Sequence, residues 1–187
     1  EWRSYDYGEG YFYQSSLDIG IHGLRDTEAR FEEYELAELL RGLNVFEIGS
    51  NCGFLSLKIA RYAVQVTGLE INPYLCQIAE TTAEKLALEN KFKISPVSFE
   101  KFETDAVFDA VLSFANHSTY DRNTRQDLSN YFMKCRNLLQ RGGLFLFESH
   151  APDFEAGKLT DVIDILKQHF DIELSKITSR LQEKGMT

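Results

Sequence analysis

Apolar positions fall along this chain in short runs separated by stretches at helical spacing. Val45 to Ile48, Val64 to Leu69, Lys91 to Ser95, Val107 to Ser113 and Leu144 to Glu148 have strand length and are mostly apolar, which suits strands covered on both faces. Between them lie helical patterns. Thr27 to Leu40 carries Phe31, Leu36, Leu39 and Leu40 as one stripe, a helix begins near Phe54, and Tyr74 to Glu89 forms another. Asp121 to Gln140 repeats Leu128, Tyr131, Phe132, Leu138 and Leu139, and Lys158 to Phe170 gives a last helix before a sixth run, Ile172 to Ile177. The punctuation agrees: Asp26 or Thr27 can cap a helix, Pro73 can open one, and Arg141-Gly142-Gly143 can end one. Strands alternating with helices predict an α/β domain, a doubly wound and mostly parallel sheet flanked by helices.

Val45 to Ala60, VFEIGSNCGFLSLKIA, organises the pattern. It reads as strand, turn and helix in succession, and delivers its turn to the carboxyl edge of the sheet, where open α/β folds bind ligands. Gly49 and Gly53 let a ligand lie against the backbone, and Asn51 is the non-glycine type that best accepts a left-handed conformation. The turn runs straight into a helix terminus whose amides face its occupant. One βα unit later the second strand ends at Glu70, with Ile71, Asn72 and Pro73 behind it. A carboxylate there is placed to bind a ribose hydroxyl pair. Alone, Glu70 is equally an ordinary solvated strand end; beside the glycine turn it becomes a ligand group.

Length, composition and charge narrow the classes. At 187 residues, 43% hydrophobic and 26% charged, the chain suits one globular domain with a real core and excludes a disordered one. No apolar run approaches membrane-spanning length. The net charge of -9, with only short basic clusters such as Lys91 with Lys93 and Arg136 with Arg141, disfavours nucleic acid as a partner. Cys52, Cys76 and Cys135 lie far apart and His22, His117, His150 and His169 show no ligand spacing, so neither a zinc site nor a disulfide framework is expected. A reducing, cytoplasmic setting is the default. The first residue is Glu1 rather than Met, which reads as a processed form or a piece of a larger protein.

EIGSNCG resembles the first motif of class I S-adenosylmethionine-dependent methyltransferases, an acidic residue followed by glycines at alternate positions, with Asn51 where the middle glycine is usual. The resemblance runs from about residue 43 to residue 178. It implies a Rossmann-like fold, S-adenosylmethionine as cofactor with S-adenosylhomocysteine as product, and contacts from Glu47, Gly49, Ser50, Asn51, Gly53 and Phe54 in the first loop. It further implies Glu70 and Ile71 at the ribose, and an adenine turn in PVSFEKFE with Phe99 and Glu100 at its contacts, although Phe99 reads equally as core. In the family an arginine from the segment before the first strand meets the cofactor's carboxylate. Arg30, with Arg25 nearby, is the candidate, its alternative being an ion pair with Glu28 or Glu33. LLQRGGLFLFESH looks like the fifth strand with its turn, where proline is more usual than Arg141. The family's seventh strand is left open, because Ser179 to Thr187 read poorly as a strand; either the chain is cut or a loop has been left out.

The segment leaving the fourth strand, Phe114, Ala115, Asn116 and His117, passes beside the reacting methyl in this family. Phe114 and Ala115 are expected against the cofactor, and Asn116 and His117 are the catalytic candidates. An imidazole can take a proton from an acceptor hydroxyl or amine; the alternative is a loop histidine bonded to backbone. His150 is a weaker candidate for the acceptor pocket. Residues 1–25 read as an aromatic arm in front of a 26–187 domain, with Tyr5, Tyr7, Tyr11, Phe12 and Tyr13 either stacking at the ligand edge or packing on the flank, and Tyr13 counted among the cofactor contacts. The layout of arm, Gly-Leu-Arg loop and helix is similar to relatives of wobble-uridine transfer-RNA methyltransferases and to methyltransferase domains of saccharide- or lipid-assembly proteins. Acidity favours a small-molecule or glycan acceptor, methylated on O or N. Two rival classes are a dehydrogenase, against which the glycine spacing argues, and a non-catalytic cofactor-binding or interaction domain.

Overall fold

The computed structural model describes residues 12–117, 126–148 and 158–174. The arm contributes β1 (Phe12–Gln14) and β2 (Gly23–Arg25), a parallel ribbon of two strands. Asp26 then caps α1 (Thr27–Glu33), its Oδ1 accepting from the Ala29 amide at 3.0 Å. α2 (Leu36–Leu39) follows, and then the repeating units: β3 (Asn44–Ile48), α3 (Phe54–Ala60), β4 (Gln65–Leu69), α4 (Pro73–Lys85), β5 (Phe92–Ser95), β6 (Phe108–Phe114), α5 (Leu128–Asn137), β7 (Leu139–Glu148) and α6 (Lys158–Leu166).

β3 to β7 form one sheet in the order β5-β4-β3-β6-β7, and every neighbouring pair is parallel. This is the expected doubly wound sheet. The chain winds outward from β3 through β4 to β5, then returns to β6 on the other side of β3. The switch point therefore lies between β3 and β6, and in open sheets of this kind the carboxyl ends of the strands there are where ligands bind. Alternation along β3 divides the core. Val45 packs with Val66, Leu55 and Ala79 under α1 to α4, whereas Phe46 and Ile48 pack with Val111, Tyr131 and Phe132 under α5 and α6.

Five expectations need correction. The helix expected over Thr27–Leu40 is two helices, because Glu35 adopts a left-handed conformation at φ 53°. The break turns the second segment, so Phe31, Leu36 and Leu40 are buried while Leu39 is 43% exposed. The helix expected to run through Gln140 ends at Asn137, and β7 begins at once, pairing Leu139 with Phe108 before a bulge brings Leu144 opposite Ala110. The helices expected to reach Glu89 and Phe170 end at Lys85 and Leu166. Of the sixth run, Ile172 to Leu174 is not strand, and Leu174 is 75% exposed. Residues 175–187, on which the rest of that run and the seventh strand depend, lie outside the described residues.

Candidate functional site

The turn after β3 is held by its own backbone geometry. Gly49 and Gly53 have φ of 71° and 70°, and Asn51 takes the expected left-handed form at 54°. A Cβ at Gly53 would lie 2.7 Å from the Ala79 Cβ, and one at Gly49 would lie 3.0 Å from the Asn116 Cβ. Conformation disfavours a side chain at both positions, and at Gly53 space excludes it as well.

Glu70 reaches this turn. It is 7% exposed; its Oε2 accepts from the Asn51 amide at 2.9 Å and its Oε1 from the Asn72 amide at 2.8 Å. One carboxylate thus ties the first loop to the start of α4. An ionised carboxylate offers about four lone-pair positions, so one such group can serve backbone amides and hydroxyls alike. Ser50 is buried, its Oγ donating to the Glu47 carbonyl at 3.2 Å, and its amide donates to the Leu69 carbonyl at 2.8 Å. Ile71 is half-buried beside Glu70.

A contribution that sequence reasoning missed comes from the arm. Gln14 is 5% exposed and its Oε1 accepts from the Phe54 amide at 3.0 Å, capping α3, while the Phe12 ring meets the Phe54 ring at 5.9 Å. The arm is anchored again where Ser15 Oγ accepts from the Thr27 amide and Asp18 pairs with Arg61 at 2.9 Å. Tyr13, half-buried between them, shares this ribbon. A single glutamine in an aromatic-rich segment gave no periodic signal. Tyr5, Tyr7 and Tyr11 lie outside the described residues.

Strand alternation sends Glu47 to the α3 face with Val45. It is 2% exposed and accepts a hydrogen bond from Ser56, the one small hydroxyl on the buried side of α3. Burial pushes its carboxyl up to about 7, against the opposing pull of that bond and of the Arg30 charge. Arg30 itself pairs with neither Glu28 nor Glu33. Its Nη2 lies 3.1–3.2 Å from the Glu148 carboxylate at the end of β7, Tyr34 Oη donates to Glu148 Oε2 at 2.7 Å, and both Arg30 and Tyr34 pack on the Phe114 ring. Glu28 instead pairs with Lys58. Arg30, Phe114 and Glu148 therefore meet at the carboxyl edge, though they come from three distant parts of the chain.

After β6, Ala115 is left-handed at φ 51° and Asn116 is 6% exposed. The Asn116 amide nitrogen donates to the Ile48 carbonyl and its Oδ1 accepts from Tyr131 Oη at 3.1 Å. His117 is half-buried, its ring edge-on to Tyr131 at 4.9 Å. Phe99 is fully buried against Tyr131, so its side chain belongs to the core, the alternative the sequence left open. Lys134 lies over the Phe99 ring at 5.0 Å and donates to the Glu100 carbonyl at 3.0 Å, while Glu100 is half-buried. Ser149 and His150 lie outside the described residues. A surface depression of about 430 Å³ along α4, lined by Tyr74, Gln77, Ile78, Thr81 and Thr82, includes none of the candidates. Among the described residues no cluster of His, Cys, Asp and Glu could hold a metal, and no helix is long and apolar enough to cross a membrane.

The comparisons with known proteins agree with this geometry. A family described as a methyltransferase domain matches residues 39–185. No curated protein matches the chain. Among solved structures, a methyltransferase from Thiobacillus denitrificans in complex with S-adenosyl-L-homocysteine is 18% identical, with a TM-score of 0.55 over 67% of this chain and 49% of its own. Coclaurine N-methyltransferase, bound to N-methylheliamine and S-adenosylhomocysteine, is 19% identical, with a TM-score of 0.56 over 64% of this chain and 34% of its own. The [4+2]-cyclase SpnF is 17% identical, with a TM-score of 0.57 over 78% of this chain and 61% of its own. The chain thus spans about half or less of the two methyltransferases, and at these identities the likeness concerns the fold. The family match covers most of the chain, including every strand of the sheet, and on that ground this chain belongs to the methyltransferase-domain family, with the fold of the class I S-adenosylmethionine-dependent enzymes.

Proposed function

We propose that this domain binds S-adenosylmethionine across the carboxyl ends of β3, β4 and β6 and transfers its methyl group to an O or N acceptor, a small molecule or a glycan or lipid end. The observation that carries the reading is the bond from the Asn51 amide to Glu70, which joins the left-handed turn and the carboxylate into one unit. The turn gives the ligand backbone to lie against, and Glu70 stands at the end of the second strand of the βα units, where a carboxylate binds a ribose hydroxyl pair. In this reading Phe99 serves through its backbone beside Glu100, since its ring is in the core. Arg30 reaches the cofactor carboxylate by exchanging or sharing Glu148, and Tyr13 covers the edge from the arm.

Methyl transfer from a sulfonium is an in-line displacement, so the protein's main task is to hold the acceptor against the methyl carbon. The acceptor's lone pair forms the new bond to carbon as the carbon–sulfur bond breaks, and the electron pair leaves with the sulfur. His117 accepts the acceptor's proton where one must be lost. Asn116, committed to Ile48 and Tyr131, positions this loop rather than touching the reacting atoms. The net charge of -9 supports an acceptor other than nucleic acid, and three buried thiols, Cys52, Cys76 and Cys135, suit a reducing, cytoplasmic setting.

Calorimetric titration with S-adenosylmethionine, S-adenosylhomocysteine and NAD tests the reading. Binding of the two sulfur compounds without NAD is expected, and Glu70→Ala should weaken it at least about tenfold, the worth of charge-assisted hydrogen bonds. Binding of NAD alone, or an unchanged affinity in Glu70→Ala, would sink it. Conversely, His117→Ala should retain cofactor affinity while losing turnover once an acceptor is found.

A further inference from the structure

Tyr131 is fully buried on α5, on the far side of the sheet from α3, yet its side chain touches both the turn that carries Phe99 and the loop that carries Asn116 and His117. Its hydroxyl lies 2.7 Å from Ser113 Oγ, at the end of β6, and donates to Asn116 Oδ1. A phenol has a single proton, so with that proton on Asn116 the Ser113 hydroxyl is the donor to Tyr131. The Asn116 nitrogen must in turn face the Ile48 carbonyl, since a carbonyl only accepts. The result is a directed chain of hydrogen bonds from Ser113 through Tyr131 and Asn116 to Ile48, the last residue of β3. Where it ends, the Asn116 side chain lies flat against Gly49, the first residue of the glycine turn. The Tyr131 ring meets Phe99 at 5.2 Å and His117 at 4.9 Å, both edge-on.

We propose that Tyr131 is a positioning residue, whose hydroxyl orients Asn116 so that the glycine turn and the loop bearing His117 are set as one unit. The inference deepens the methyltransferase reading and rests on it. The left-handed Ala115 is not held by its own propensity, because alanine is disfavoured there; its amide donates to the Glu148 carbonyl at 3.0 Å, and the bonds that Asn116 makes on either side fix the next residue. Ser113 and Tyr131 are both inaccessible to water, so this chain is not exchanged for solvent contacts when the edge is filled. Cofactor binding against Gly49 and the presentation of His117 therefore depend on the same hydroxyl, which belongs to neither loop.

A double-mutant cycle on S-adenosylhomocysteine affinity tests this, with thermal melting run in parallel. Tyr131→Phe keeps the ring and removes the hydroxyl; Asn116→Ala removes its target. Each single change should weaken binding about fivefold, the worth of one neutral hydrogen bond, and the double variant should also lose about fivefold rather than about twenty-fivefold. Additive losses, or a lowered melting temperature with unchanged affinity in Tyr131→Phe, would reduce Tyr131 to a core residue and overturn the proposal. Should Tyr131→Phe fail to fold, Ser113→Ala enters the cycle in its place, with non-additivity against Asn116→Ala again expected and additivity again decisive against it. A wild-type chain that does not bind S-adenosylhomocysteine overturns the methyltransferase reading itself, and the coupling with it.

Discussion

Glu47 shows how one residue's environment departs from its type. A lone acid in an apolar strand looked in the sequence like a motif letter, yet β-alternation places it in a dry space under α3. The folded protein holds its proton up to about pH 7, whereas the unfolded chain releases it near 4.5. Between those values the folded state binds more protons, so this group's contribution to stability falls as pH rises through the window and levels off above it. The difference amounts to about 3 kcal/mol. Denaturant melts of the wild type and Glu47→Gln from pH 4.5 to pH 8 should show the two diverging across that window, with the variant the flatter. Parallel curves would mean that Glu47 is ionised throughout. Glu70 is the contrasting case: equally buried, but bonded to two backbone amides, its ionised form is served by donors. The sequence identified both acids; it could not tell that one is shut away from water with the Ser56 hydroxyl against it and the other bonded to a pair of amides.

Elements were legible where a strong period met a clear boundary. β3, β6 and the start of α3 stand within a residue or so of their expected places, because an apolar run bounded by a glycine turn admits few alternatives. The break between α1 and α2 was not legible. Nothing in Phe31-Glu32-Glu33-Tyr34-Glu35-Leu36 stops a helix locally, and all of these residues tolerate one. The tertiary structure imposes the break: Tyr34 must reach Glu148 and Phe114 while Leu36 and Leu40 enter the core under α3. Glu35 takes the strain at φ 53°. Glu35→Gly should therefore stabilise the protein by about 0.5–1 kcal/mol, since glycine accepts that conformation freely and Glu35 is exposed. Chemical denaturation would measure it, and a loss of stability would show that the strain is not local to residue 35. β7 misled the reading in the opposite sense, because Leu138 and Leu139 continue the helical spacing of Tyr131 and Phe132 while straddling the end of α5 and the start of the strand.

At the scale of the molecule, charge and topology decide the reading between them. Topology brings β3, β4, β6 and β7 to one edge with parallel polarity, so residues from Arg30 to Glu148 meet there. A likeness to SpnF, a [4+2]-cyclase, shows that this fold is not confined to one chemistry, and the methyltransferase assignment rests on the family match over residues 39–185 rather than on the sheet. Charge bears on the acceptor. With 29 acidic against 20 basic side chains, the chain should not retain transfer RNA at physiological ionic strength, about 0.15 M. A mobility-shift titration checks this, and a salt-dependent shift there would turn the acceptor reading towards RNA.

The sequence by itself determined the alternation of strands and helices, the glycine turn with its left-handed Asn51, and the carboxylate one unit further on. All of these are local: a turn conformation or a period depends on neighbours a few residues away. Only the tertiary structure decided which groups meet across the sheet. Gln14 on the Phe54 amide, Glu148 on Arg30, and Ser113, Tyr131 and Asn116 in one line join residues from 15 to 118 positions apart. Such pairings leave no period in the sequence, because each is fixed by where parallel strands end and by the cost of burying a polar group without a partner.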